Sequence, residues 1–274
     1  MEREQGVDLS RARVRCGFAR GHLLDVVVYV PGGLGDAREQ AAAEELTWLL
    51  LGGELFERWV GKVSVTPTVR GGPLTVLNAN SEERNALPVS ELRGTVRAAI
   101  EGLQRGLVEA AQTAAATEAD WVLFELEPEP AADYTAQDDL VISSTRLPEL
   151  KKSFLRGEPF FSGRFSVQGE LFAYLKYESR TRESEARLSE RAALEAELTR
   201  SFGAGRAAIF GTGLGLRYSY LDFALRDPSA VEELILPAAR ALNGMTRGWL
   251  LFCDTELERE WVGVHADTPE PFWG

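Results

Sequence analysis

Carboxylates are the side chains of this chain with both the chemistry and the numbers to build a site. Asp and Glu together number 42, against 30 Lys and Arg and only two His. Glu125, Glu127 and Glu129 alternate, so an extended backbone would line all three along one face, and Asp138 and Asp139 follow shortly after. Carboxylate oxygens gathered in this way could hold a divalent cation or share the work of a general acid and base. His265-Ala266-Asp267 is the second candidate. In a strand, His265 and Asp267 would share a face, and a carboxylate beside an imidazole can orient it as a base or a metal ligand. The candidate catalytic residues are therefore Glu125, Glu127, His265 and Asp267. Each has a plainer reading beside it, as part of a solvated acidic loop or as an ordinary half-exposed histidine.

Other chemistry has less behind it. Cys16 lies among Arg13, Arg15 and Arg20, a setting that can stabilise a thiolate, but no histidine motif accompanies it and an inert thiol is the simpler account. The loop Pro31-Gly32-Gly33-Leu34-Gly35-Asp36 joins an expected strand to an expected helix, where backbone amides can cradle a phosphate. It lacks the GxGxxG spacing and the Lys-Ser/Thr of a phosphate loop, and Asp36 would repel the anion, so a plain connection is the better reading. Gly211-Thr212-Gly213-Leu214-Gly215 reads as the tight turn of a hairpin, and no GxSxG elbow occurs. No cofactor is expected.

Charge narrows the partners. The formal net charge is −12, with a sequence pI near 4.9. Phosphate backbones and anionic lipids both call for a basic surface, so nucleic acid and membrane are not expected partners. The aromatic and basic residues interleaved from Lys151 to Tyr177 are accordingly read as packing, not as a single-strand binding surface. An acidic surface would instead steer association with a protein that presents a basic face. Two cysteines without a CxxC spacing fit a reducing compartment. The charged stretch Met1–Gly21 lacks the apolar core of a secretion signal, and no apolar run reaches the length of a membrane span. The expectation is a cytoplasmic protein.

The elements that would position these residues follow from periodicity. Leu23 to Val30 reads as a buried strand, and Asp36 with Glu39 as a capping box opening a helix that Gly52-Gly53 ends. A strand follows from Trp59 to Val69, and Leu74 opens another short apolar run. Pro88 is placed to start a long helix reaching Thr117, with Leu92, Val96, Ile100, Leu103 and Leu107 at spacings of three and four. Further strands are expected at Trp121–Leu126, Leu140–Thr145, Ala207–Phe210, Leu216–Leu225, Trp249–Cys253 and Trp261–His265. Glycine-punctuated aromatic runs after Lys151 suggest hairpins, Thr181–Phe202 a charged helix, and Asp227–Leu242 a helix kinked at Pro237.

One echo bears on organisation. Glu54–Pro67 and Glu256–Pro269 agree at seven of fourteen positions, including Trp, Gly and the closing Thr-Pro. Chance and an internal duplication account for it about equally well. The fold class expected is α+β, with two related strand-helix-strand halves, mixed sheets and an inserted aromatic hairpin segment. The halves would be residues 1–146 and 147–274, packed as one compact unit. Two functions are expected: a non-enzymatic acidic protein that binds another protein, in an inhibitor, immunity-type or adaptor role, or else a metal-assisted hydrolase using clustered carboxylates.

Overall fold

Four valines and a tyrosine within Leu24–Pro31 are stiff, branched or aromatic side chains that favour an extended backbone, and this segment forms the strand around which the first of two units is built. The computed structural model describes residues 9–68, 85–107, 121–166, 168–202 and 205–274. The chain divides into Met1–Gly106 and Leu107–Gly274. The boundary expected after Arg146 falls inside the second of these.

The first unit runs β1 (Arg13–Phe18), β2 (Leu24–Pro31), α1 (Ala37–Leu51), α2 (Gly53–Trp59), β3 (Val60–Thr68), β4 (Leu87–Pro88) and α3 (Leu92–Gly106). Its sheet has the order β3-β2-β1-β4, with β2 and β3 parallel and the other pairs antiparallel. Parallel neighbours need a crossover, which α1 and α2 supply. Asp36 caps α1 by accepting from the amides of Arg38 and Glu39 at 3.0 and 2.9 Å. Leu92, Val96 and Ile100 of α3 are buried, as their spacing requires. Pro88 does not open that helix, because Leu87-Pro88 pairs with β1 and a 3-10 turn, Val89–Glu91, intervenes. The run expected from Leu74 and the helix expected between Val108 and Thr117 lie outside the described residues.

The second unit contains β5 (Val122–Glu125), β6 (Leu140–Thr145), α4 (Pro148–Leu155), β7 (Leu171–Ser179), α5 (Ser184–Ser201), β8 (Ala207–Gly215), β9 (Tyr218–Leu225), α6 (Leu236–Ala241), β10 (Met245–Phe252) and β11 (Trp261–Gly263). All seven strands join one antiparallel sheet in the order β11-β10-β7-β9-β8-β6-β5. Every residue of the central strand β9 is buried, so the middle of the sheet is covered on both faces. On one face, Leu194 and Leu198 of α5 and Leu236 of α6 pack over Leu175, Leu221 and Leu250. On the other, α4 and the connecting segments cover Phe172, Tyr174, Tyr218, Tyr220 and Trp249.

The α+β class holds, but several details of the expected plan do not appear. Between Lys151 and Tyr177 the described chain forms part of α4, a 3-10 turn at Ser162–Arg164 and β7, with no hairpin among the described residues. Its aromatic residues pack against the sheet instead, with Phe160 stacked on Phe165 at 5.1 Å and edge-on to Phe172 at 6.4 Å. The glycines from 211 to 215 lie within β8, and the β8–β9 turn is made by Leu216 and Arg217. Gly211, Gly213 and Gly215 are needed for close approach: a Cβ at each would fall 2.4, 2.5 and 2.3 Å from Asp222, Leu140 and Asp139. The two echoed stretches also differ in structure. Trp59 ends a helix and is buried, whereas Trp261 opens a three-residue strand and is half-buried. The duplication therefore has no structural support.

Candidate functional site

Strands β7 and β9 pair so that Tyr174, Lys176 and Glu178 lie opposite Asp222, Tyr220 and Tyr218. Alternation along both strands puts all six on one face of the sheet. Five of them are buried there and Glu178 is partly so, an unusual load of charge and hydroxyl for a core face.

The load is matched group by group. Lys151, carried by α4, donates to Asp222 at 3.0 Å and to Gln137 at 2.5 Å, and Gln137 donates to the other Asp222 oxygen at 2.8 Å. Asp222 and Lys151 side chains are 4% and 2% exposed, so this triangle is cut off from water. Lys176 donates to the Tyr134 carbonyl and sits 4.3 Å over the Tyr218 ring. Burial pushes its ammonium down to about 8, against the pull of Asp139, Asp133 and Asp138. Towards the strand end, Glu178 accepts from Arg217 at 2.8 Å and Arg247 at 2.7 Å. Burial would raise the Glu178 carboxyl, but these bonds hold it below its usual range.

Among the described residues, one cleft opens on this face and another lies at the β8–β9 end of the sheet. The first encloses about 730 Å³ and is lined by Phe154, Phe160, Tyr174, Phe252 and Trp273, with Gln137 and Cys253 at the sheet. Around it stand Glu127, Asp138, Glu158 and Glu258, with Arg259 the one basic side chain among its described lining residues and Arg156 3.7 Å from Glu158. Burial pushes the Cys253 thiol well up, reinforced by Asp222 and Asp254, and pushes the Tyr174 hydroxyl up in the same way. A thiol held protonated is a poor nucleophile. The second cleft, of about 640 Å³, is lined by Arg180, Arg182, Arg187 and Arg217, with Glu178, Tyr134 and Thr246.

Of the residues singled out from the sequence, Glu127 lines the first cleft, while Glu125, His265 and Asp267 line neither cleft. Glu125 is exposed on β5, at one edge of the sheet. β11 ends at Gly263, and His265 lies in a turn whose Thr268 amide donates to the His265 carbonyl at 3.1 Å. The strand face that His265 and Asp267 were to share is thus not formed.

The neighbouring acids divide into exposed and structural ones. Asp139 accepts from the amides of Arg217 and Tyr218 at 2.7 and 2.8 Å and from the Tyr220 hydroxyl, which fixes the β8–β9 turn. Asp254 accepts from the Ser162 amide at 2.8 Å and from its hydroxyl. Among the described residues, no three His, Cys, Asp or Glu side chains gather in a way that could hold a metal ion.

The remaining candidates resolve simply. The Glu39 carboxylate reaches back to the amides of Leu34 and Gly35, at 3.0 and 2.7 Å, and so occupies the donors that a phosphate would need in the glycine loop. Cys16 lies on β1 opposite Val26, and burial raises its thiol; its arginine neighbours do not make it reactive.

Sequence reasoning passed over Lys151, Lys176 and Asp222. A signal was present: Asp222 interrupts the apolar run Tyr220–Leu225 and Lys176 the run Leu171–Tyr177, and a charge inside a buried strand must have a partner. Among the described residues, no helix is long and apolar enough to cross a membrane. Comparison of the chain with protein-family models, with curated proteins and with solved structures finds no match.

Proposed function

We propose that this protein binds another protein, taking a basic and apolar segment of that partner into the cleft beside Glu127, in the manner of an inhibitor, immunity-type or adaptor protein of the cytoplasm. The observation that carries the reading is the composition of that cleft. Phe154 and Trp273, beside the buried Phe160, offer apolar contact area, and Glu127, Asp138 and Glu258 stand around it with Arg259, while Glu158 is paired with Arg156 at 3.7 Å. Aromatic surface supplies affinity, and the carboxylates select a partner of opposite charge and speed the encounter. The net charge of −12 acts in the same direction over longer range.

The groups beneath the cleft favour binding over catalysis. Lys151, Gln137 and Asp222 satisfy one another, and Cys253 keeps its proton. A metal-assisted hydrolase would need carboxylates that converge, and no observation favours that reading over binding.

Glu127 and Glu258 are exposed, so both can be reversed in charge with little effect on the fold. Wild-type protein immobilised in extract of its native host is expected to retain a defined protein partner. The double variant Glu127→Lys, Glu258→Lys is expected to lose that partner while melting at the same temperature. Rising salt should weaken capture by the wild type. Retention of the same proteins by both forms, or of none by either, would sink the reading.

A further inference from the structure

We propose that the second cleft, beside the β8–β9 turn, binds a small oxyanion carrying more than one negative charge. The site is separate from the cleft assigned to a protein partner and does not depend on that assignment.

Among the described residues, four arginines line it in a chain whose average charge is strongly negative, and Glu178 is the one carboxylate. Glu178 faces Arg217 with one oxygen and Arg247 with the other, and Arg217 also stands 3.8 Å from Asp133, so the uncompensated charge of the cleft rests on Arg180, Arg182 and Arg187. Arg180 and Arg182 are exposed, and neither makes an ion pair among the described residues.

Arg187 is the decisive group. It is 4% exposed, and its two terminal nitrogens donate to the carbonyls of Gly215 at 3.0 Å and Tyr218 at 2.6 Å. Its Nε is buried without a hydrogen-bond partner. No carboxylate lies within ion-pair distance of it among the described residues. Asp139 and Glu190 act on it only from farther away, and both Asp139 oxygens are taken by the turn and by Tyr220.

A guanidinium removed from water and hydrogen-bonded only to carbonyl dipoles is costly, and a bound anion would offset that cost. Burial lowers the pKa of Arg187, which has the same origin. The planar fork of arginine matches the oxygens of phosphate and carboxylate groups. A cleft of about 640 Å³ is large enough for a molecule of metabolite size.

Phosphate and polycarboxylate ligands share this chemistry, and calorimetric titration of the full chain with pyrophosphate and, separately, with citrate distinguishes them. Saturable binding of at least one anion is expected, with the tighter of the two assigning the class. The Arg180→Ala, Arg182→Ala variant removes exposed side chains and should keep its melting temperature. It is expected to bind about tenfold more weakly for each arginine lost, the usual worth of a charge-assisted contact. Arg187→Met should abolish binding if it folds, judged by circular dichroism. Absence of binding by both anions at millimolar concentration, or equal affinity of wild type and the Arg180, Arg182 variant, would overturn the assignment.

Discussion

The two faces of the seven-stranded sheet are covered by different chemistry. Apart from Tyr177 and the buried Arg187 of α5, the face under α5 and α6 is held by aliphatic and Phe side chains, whose burial is favourable whatever their exact partners. The opposite face buries Lys151, Lys176, Asp139 and Asp222 among tyrosines and phenylalanines. There every charge depends on one or two particular partners, so the arrangement is tolerant on one side and exacting on the other. The first cleft opens on the exacting side, and the second lies at the β8–β9 end of the sheet, where Arg187 of α5 stands near Glu178 and Arg217. Of this network, Gln137 and Tyr174 reach the first cleft and Glu178 and Arg217 the second, while Lys151, Lys176 and Asp222 line neither.

The contrast can be broken at its strongest point. Asp222→Ala leaves the Lys151 ammonium buried with only Gln137 beside it and should cost about 3 to 5 kcal/mol, measured by denaturant unfolding. The double variant Lys151→Met, Asp222→Leu removes both charges and should lose less than Asp222→Ala alone. A double variant that loses more would mean that the pair is a source of stability and not a matched cost.

On the aliphatic side, Leu198→Ala should cost about 2 to 5 kcal/mol through the cavity it leaves, with most of the loss recovered in Leu198→Met. Equal intolerance of Leu198→Met and Leu198→Ala would erase the distinction between the faces.

The smallest effect sharpens the comparison through pH. Burial holds Lys176 near 8 in the folded protein, whereas the unfolded chain keeps that proton to about pH 10.4. Between those values the unfolded state binds more protons, so the Lys176 contribution to stability rises with pH. The slope is at most about 1.4 kcal/mol per unit. Cys253 and the buried tyrosines titrate in the opposite sense, because their folded pKa values are raised. The difference in unfolding free energy between wild type and Lys176→Met isolates the lysine. It should shift in favour of wild type from pH 8 to pH 10, and a flat difference would show that Lys176 is not penalised by burial.

Much of the local structure was legible in the residues. Asp36 with Glu39 announced the start of α1, and the Leu92, Val96, Ile100 spacing announced α3, because caps and helical stripes are settled within a few residues. Glu39 went one step further than the motif, reaching Leu34 and Gly35 in the loop. The site was less legible. Glu127 was found among carboxylates that turned out mostly exposed or structural. Arg187 looked like one more charge on a solvated helix, and only its position against the Gly215 and Tyr218 carbonyls sets it apart.

The paired tryptophan stretches mark where local reading stops. Trp48 is exposed on α1 while Trp249 is buried on β10, although each precedes the same Glu-Leu and Trp-Val-Gly letters. The sequence by itself determined the acidic balance, the α+β class and the caps and stripes of individual helices. The tertiary structure decided that Lys151 would meet Asp222, 71 residues away, and that Arg217 would join Arg180, Arg182 and Arg187 in lining one cleft. Hydrophobic periodicity records which face of an element turns inward; the partner it meets there depends on strand order and register, which are fixed by contacts distant in the chain.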